Sequence, residues 1–450
     1  MISTTRPRFI LTSVLLVLAC VGCRDPSSAD PDATGSGSGG ASSGATPITN
    51  EGDEQASMTL TGADATSEPG TTSASDTRPV DTTGVDSSSE GSSSGGGTTG
   101  GVEIPNGPDA RLAAGGAFHC VIAADETLRC WGAGNDSQLG DGLAEDSPVP
   151  VTALGVADVA HVTSAEWHTY ARDATGTFHT FGASQYGQLG LGDISYHAQP
   201  VVQPALAEGD LVAIGGNHSC AVHEDTTVSC WGMGVYGQLG FVAMESCAND
   251  YACATTPTIV PDVAGVVALT TGSRHTCVLL DDGGVSCWGG NDAGQLGPDG
   301  VEGPDPIAVP DLGEVAQLVV GGSRSCVRTT DGAATCWGYQ LGVDPVEIPD
   351  LENAVAIDTT YDHGCAILDD ATVACWGDNT YGKLGDGTTA SRPNAAPVDG
   401  LTDAVEVAVN YFSSCALLAN DEVWCWGYNG YGMLGNGVAG DSAVPVQVAL

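Results

Sequence analysis

The sequence predicts an all-β fold, a seven-bladed propeller behind a disordered N-terminal tether. Three observations carry that prediction. The tripeptide Cys-Trp-Gly recurs six times, a second cysteine stands ten residues before each copy, and the first part of the 450-residue chain is too rich in Ser, Gly, Thr and Asp to bury a core.

At the N-terminus, Arg6 and Arg8 precede an apolar run from Phe9 to Ala19, too short to span a bilayer and laid out as a secretory signal that is removed. The run ends in Val17-Leu18-Ala19-Cys20, which resembles a bacterial lipoprotein signal whose cysteine is acylated and becomes the new N-terminus. Cys20 is the expected lipid site; Cys23, preceded by Gly22, fits the same loose motif, and a cleaved signal without lipid is the plainer alternative. Residues 1–23 are therefore read as signal and lipidation region, 24–108 as linker and 109–450 as propeller. The linker has almost no aromatic residues and cannot bury enough apolar area to offset its ordering entropy, so it is expected to act as a flexible spacer from the membrane.

Acidic residues number 56 against 12 basic ones, for a formal net charge of −44, and Lys383 is the only lysine. Such a field repels phosphate backbones, which argues against nucleic acid as a partner and otherwise describes a solvated surface. Sixteen cysteines, most of them evenly spaced in pairs, imply an oxidising compartment.

The tripeptides start at Cys130, Cys230, Cys287, Cys336, Cys375 and Cys425, and Thr180-Phe181-Gly182 fills the gap between the first two, making seven copies. Each leads to a Leu-Gly pair, as in Asn135-Asp136-Ser137-Gln138-Leu139-Gly140. The upstream cysteines are Cys120, Cys220, Cys277, Cys326, Cys365 and Cys415; in the second copy both cysteines are replaced together, by Tyr170 and Thr180. Joint loss is what a disulfide predicts. Between Cys277 and Cys287 the chain reads as two strands around a turn centred on Asp282, and Gly176, Gly283 and Gly332 stand where a three-residue hairpin loop needs a left-handed residue. Counting outward sets the two cysteines opposite each other on a non-hydrogen-bonded pair, close enough to bridge. The spacing lacks the short knuckle of a zinc site, and no histidine recurs at a ligand offset after it.

A further β-type run precedes each first cysteine, such as Leu211–Ile214, and a Pro-Val strand such as Pro148–Leu154 lies between copies. Four short strands per unit describe a propeller blade. The first copy has no Pro-Val strand before it and the last ends on a spare one, Val444–Leu450, so the C-terminal strand is expected to close the ring by completing the first blade. The fifth copy, Cys336-Trp337-Gly338-Tyr339-Gln340-Leu341-Gly342, lacks the Asn-rich loop and should have a shortened rim; the third carries an insertion with its own pair, Cys247 and Cys253. That loop reads as a projecting binding element or as a tolerated insertion held in place.

With His218-Ser219-Cys220-Ala221, Trp288-Gly289-Gly290-Asn291 and Gly294-Gln295-Leu296-Gly297, the chain resembles the regulator of chromosome condensation repeat family, over roughly Ala110 to the C-terminus. The resemblance implies a seven-bladed propeller. Its nuclear members act as exchange factors on a small GTPase, a use that does not suit an exported, lysine-poor chain.

His168, His218, His275 and His363 share one repeat position, filled elsewhere by Phe118, Arg324 and Ser413. A ring of metal ligands is one reading; a hydrogen-bonding structural role suits a family repeat residue better. The tryptophans that follow the second cysteines read as inter-blade core, and Asp281-Asp282-Gly283 and Gly385-Asp386-Gly387-Thr388 read as turn chemistry rather than calcium loops. No nucleophile elbow, metalloprotease motif or phosphate loop is present, so neither catalytic residues nor a cofactor or metal is expected. The function that follows is a lipid-anchored, monomeric propeller on the bacterial outer membrane or cell surface, binding an extracellular protein or glycan. A structural part of the cell envelope without a specific ligand is the alternative.

Overall fold

The computed structural model describes residues 110–450; the signal, Cys20, Cys23 and the linker lie outside the described residues. Seven antiparallel sheets follow one another along the chain, over 112–152, 159–202, 211–259, 266–309, 315–347, 354–397 and 404–447. Blade 1 shows the plan: Leu112–Ala114 innermost, then Phe118–Ile122, Leu128–Gly132 and, outermost, Ser147–Thr152.

Residue type explains each strand's place. Phe118–Ile122 is buried along its whole length, because neighbouring blades cover both faces of the sheet. The outer strands carry proline in every blade, at Pro148, Pro200, Pro257, Pro304, Pro345, Pro393 and Pro445. Proline has no N–H for a ladder and is confined to sheet edges, where it also blunts pairing with another chain.

That chemistry corrects one expectation. The C-terminal strand Ser442–Gln447 pairs with Val423–Gly427 of its own blade and does not complete the first. Blade 1 has its own proline-bearing edge in Ser147–Thr152, so each Pro-Val run ends the copy before it. Side-chain packing closes the ring instead. Seven apolar clusters fill the interfaces between adjacent blades, and the one at the seam joins Leu112, Val121 and Trp131 to Ala408, Leu417 and Val448. Across the same seam the Glu406 carboxylate accepts the backbone N–H groups of Arg111 and Leu112 at 3.0 and 2.8 Å, and Arg111 pairs with Asp421 at 2.8 Å.

In six blades the two central strands set cysteine opposite cysteine, as Cys120–Cys130, Cys220–Cys230, Cys277–Cys287, Cys326–Cys336, Cys365–Cys375 and Cys415–Cys425, with Cα atoms 4.0 to 4.1 Å apart. The hairpin loops between them have a left-handed residue in all seven blades: Gly176, Gly283 and Gly332, but also Glu126, Thr226, Ala371 and Asp421, at φ of 61 to 86°. The glycine that ends each Cys-Trp-Gly, and Thr180-Phe181-Gly182 in blade 2, is required more strictly. It lies at φ of 102 to 110° in all seven copies, and a Cβ on Gly132 would stand 2.7 Å from the Ala117 carbonyl oxygen.

The fifth blade turns through residues 339–341 alone, which gives the short rim. In the third, Glu245–Ser246 adds a fifth strand outside Ala252–Ile259, and Cys247 bridges to Cys253 just beyond it.

Candidate binding face

Antiparallel alternation sorts the connections between two faces. The turn after each innermost strand and the long loop before each outer strand emerge together on what we call the loop face; the hairpin turns and the blade-to-blade links emerge on the other.

Beneath the loop face the repeat histidines join the blades. His168, His218, His275 and His363 are fully buried, with Nε2 2.9 to 3.0 Å from the hydroxyls of Ser219, Thr276, Ser325 and Ser414 in the next blade. Each hydroxyl donates onward to a loop carbonyl, of Gln188, Gln238, Gln295 or Lys383, so the imidazole must be the donor and Nε2 carries its proton. The same carbonyls accept the indole N–H groups of Trp231, Trp288, Trp337 and Trp426. Burial holds His168, His218 and His275 at about 3 and His363 at about 4, well below the usual imidazole value, which keeps them neutral.

The three copies without histidine depart from this pattern, and Phe118 fills the slot of blade 1 with an apolar ring. At the seam the partners are exchanged: blade 7 supplies Ser413 and blade 1 supplies His119, 2.9 Å apart. Blade 5 has Arg324 in the slot and blade 6 has Gly364 in place of the hydroxyl. With the fifth loop clipped, the Trp376 indole N–H has no hydrogen-bond partner, and its ring fills the space a Cβ on Gly364 would need, 2.6 Å away. Lys383 is only 3% exposed, clamped between Asp362 at 2.8 Å and Asp378 at 3.0 Å. The aspartates weighed for calcium act as turn caps: Asp282 accepts the Gly284 N–H at 2.9 Å, and Asp386 accepts the Thr388 N–H and pairs with Arg392, both at 2.9 Å.

The innermost strands surround a cavity of about 90 Å³ on the ring axis. One repeat position, four residues before the first cysteine, circles its mouth as Gly116, Glu166, Gly216, Ser273, Gly322, Tyr361 and Tyr411. The four side chains form a hydroxyl–carboxylate chain: Tyr361 donates to Ser273 Oγ at 2.9 Å, and the Ser273 and Tyr411 hydroxyls both donate to Glu166 Oε1. Burial and then the Glu166 carboxylate push the Tyr411 phenol well above its usual value. The glycines leave the room this takes. A Cβ on Gly216 would lie 2.8 Å from the Glu166 carboxyl carbon, and one on Gly322 would lie 2.4 Å from the Tyr361 ring.

From that mouth an aromatic arc crosses blades 5 to 7. Tyr339 meets Tyr361 edge-on at 5.8 Å between centroids, Tyr361 meets Tyr411 at 5.0 Å, Phe412 meets Tyr428 at 5.7 Å, and Tyr428 meets Tyr381 at 4.7 Å. Tyr339, Tyr381 and Tyr431 at its outer side are 42, 43 and 42% exposed. Across the ring, the third-blade insertion leans on its neighbour. Tyr251 stacks on Tyr186 of blade 2 at 6.0 Å, and the Ala248 N–H reaches the Gln185 carbonyl at 3.2 Å. The loop closed by Cys247 and Cys253 thus buttresses the one blade without a cross-strand disulfide.

Sequence reading located the histidines, tryptophans and cysteines by their repetition and missed the mouth. Glu166, Ser273, Tyr361 and Tyr411 differ from copy to copy and stand far apart in the chain. The signal that could have found them is the alternation of glycine with large polar residues at one repeat position.

Two models of the regulator of chromosome condensation (RCC1) repeat match the chain, one over 128–172 and 175–222, the other over 210–238, 266–295, 354–383 and 404–432. The ultraviolet-B receptor UVR8 of Arabidopsis thaliana is 32% identical over 192 residues, 42% of this chain and 42% of UVR8. The E3 ubiquitin-protein ligase HERC2 of Homo sapiens is 30% identical over 193 residues, 41% of this chain and 4% of HERC2. The match thus spans less than half the length of these curated relatives. Among solved structures, Prp20p of Saccharomyces cerevisiae, described with its binding to Gsp1p and histones, superposes with a TM-score of 0.62 at 21% identity, over 72% of this chain and 85% of that one. Human WBSCR16 does so with a TM-score of 0.58 at 24% identity, over 66% and 83%. These structures share the fold. The match over 128–172 takes in the two outer strands of blade 1 and the two inner strands of blade 2, so that repeat unit is out of phase with the blade. Over the matched stretches the chain carries regulator of chromosome condensation repeats, and its described residues fold as a seven-bladed propeller stapled by seven disulfides.

Proposed function

We propose that this chain is a non-catalytic binding module, exported and held at a cell surface by a lipid on Cys20 or Cys23, whose propeller grips a protein or glycan partner with its loop face. The division into signal, spacer 24–108 and propeller 109–450 belongs to the same proposal. One observation carries it: hydroxyls, a carboxylate and an exposed aromatic arc are gathered on one face of a scaffold otherwise occupied with holding its blades together. Rigid aromatic rings with polar tips give contact area at low entropic cost, which suits recognition. The disulfides support export, since such bonds persist in oxidising compartments. No helix of the described residues is long and apolar enough to cross a membrane, and a lipid would supply the attachment.

The test is affinity capture from outer-surface and secreted fractions with the oxidised chain, beside a Tyr381→Ser, Tyr431→Ser variant. A partner retained by the parent and lost from the variant supports the reading, and a parent that retains nothing overturns it. Incorporation of labelled palmitate, abolished by Cys20→Ala and not by Cys23→Ala, would assign the lipid. Nucleotide release from a small GTPase, if the chain accelerated it, would replace binding by exchange.

A further inference from the structure

The mouth of the axial cavity holds a carboxylate without a cation. Arg274 is engaged by Asp292 at 3.3 Å and lies over the Tyr236 ring, Arg324 donates to the Tyr339 carbonyl at 3.3 Å, and Lys383 is held by Asp362 and Asp378. Glu166 makes no ion pair among the described residues; its Oε1 takes two hydroxyl donors, which leaves Oε2 for a ligand. The rings of Tyr361 and Tyr411, 5.0 Å apart, stand beside it. Thr271 and Thr360, 7% and 2% exposed, are among the residues around the same cavity, and their buried hydroxyls have no hydrogen-bond partner.

We propose that this mouth receives a single basic side chain, a lysine or arginine that a protein partner extends along the ring axis, with Glu166 Oε2 as its counter-ion and the two tyrosine rings as its walls. Three arguments converge on that occupant. A half-buried carboxylate with a tyrosine pair beside it attracts an ammonium or guanidinium group by charge, and the ring quadrupoles close by add to that pull. The cavity of about 90 Å³ is well below the roughly 300 Å³ at which small-molecule pockets begin, so it suits one slender side chain rather than a sugar ring. The net charge of −44 draws basic partners from a distance and leaves the local contacts to orient them. Glu166 is pre-set for this, because Gly216 leaves its place open and two hydroxyls hold its carboxylate.

The proposal rests on the loop face being a protein-binding surface, and the experiment separates the two. Titration calorimetry of the oxidised full-length chain uses capped pentalysine, the same peptide acetylated at every Nε, and maltohexaose as a glycan probe. The parent is expected to bind pentalysine and neither of the others. Glu166→Gln should weaken pentalysine at least tenfold with an unchanged thermal midpoint, and Tyr361→Leu should weaken it several-fold. Glu208→Gln with Glu352→Gln, on the hairpin face, should stay within twofold of the parent, which separates the mouth from diffuse attraction to an acidic protein. No binding of pentalysine, equal binding of the acetylated peptide, binding of maltohexaose at the mouth, or equal loss in the hairpin-face variant would each overturn the proposal. A partner captured equally by the parent and Glu166→Gln would defeat the receptor and leave the binding reading standing.

Discussion

His168, His218, His275 and His363 each donate their one proton to a hydroxyl in the next blade, so a small change there uncouples two blades. His275→Leu keeps the bulk but removes the donor to Ser325, and the expected loss is about 1–3 kcal/mol, read as a lower denaturant midpoint at constant slope. Ala371 makes the opposite case. At φ of 62° it occupies a hairpin position where a Cβ is strained, and three other blades use glycine there. Ala371→Gly should stabilise by roughly 0.5–1 kcal/mol, the strain relief exceeding the added freedom of the unfolded chain.

At the scale of the element, the central hairpin of a blade is closed by one cross-strand disulfide over a sequence separation of 10. Replacing Cys277 and Cys287 together by alanine should cost about 2–4 kcal/mol, measured as a shift in thermal midpoint relative to the oxidised parent. Blade 2 shows why the staple cannot simply be restored. Tyr170 and Thr180 face each other in the same register, but the Tyr170 ring is fully buried, donates to the Leu189 carbonyl at 2.7 Å and accepts the Trp231 indole N–H at 3.0 Å. Tyr170→Cys with Thr180→Cys should form the bond, visible by mass, yet fail to raise the midpoint, because the vacated ring volume costs about 3 kcal/mol or more.

For the whole molecule, the ring lives or fails at its seam and through its shared burial. Glu406→Leu removes the acceptor for the Arg111 and Leu112 N–H groups, and faster amide exchange in strand Leu112–Ala114 than in the inner strands of other blades is the expected outcome. Acid should act on the entire ring. His119, His168, His218 and His275 are held at about 3 and His161 and His363 at about 4, against 6.5 when free, so the unfolded chain binds more protons between those limits. Their contribution is complete above pH 6.5 and declines as pH falls, by up to about 1.4 kcal/mol per unit for each site. Asp358 opposes this. Burial raises it to about 7 from 3.8, so its contribution is full below its free value and lost as pH rises through 7. Six histidines outweigh one carboxyl, and the denaturant midpoint should fall between pH 7.5 and pH 5.

The blade count, the hairpins and the cysteine pairing were legible in the sequence because they are local and repeated. A ten-residue spacing around a turn admits one register, and seven copies say it seven times. The structural histidines were legible for the same reason. Two things were settled only by the tertiary structure. Which blade owns each Pro-Val strand depends on edge position, since a run lying between two copies reads equally as the end of one or the start of the next. The candidate site depends on ring closure, which carries Glu166, Ser273, Tyr361 and Tyr411 from blades 2, 4, 6 and 7 to one axis. Repetition builds the scaffold, and the departures from it meet only where the blades converge.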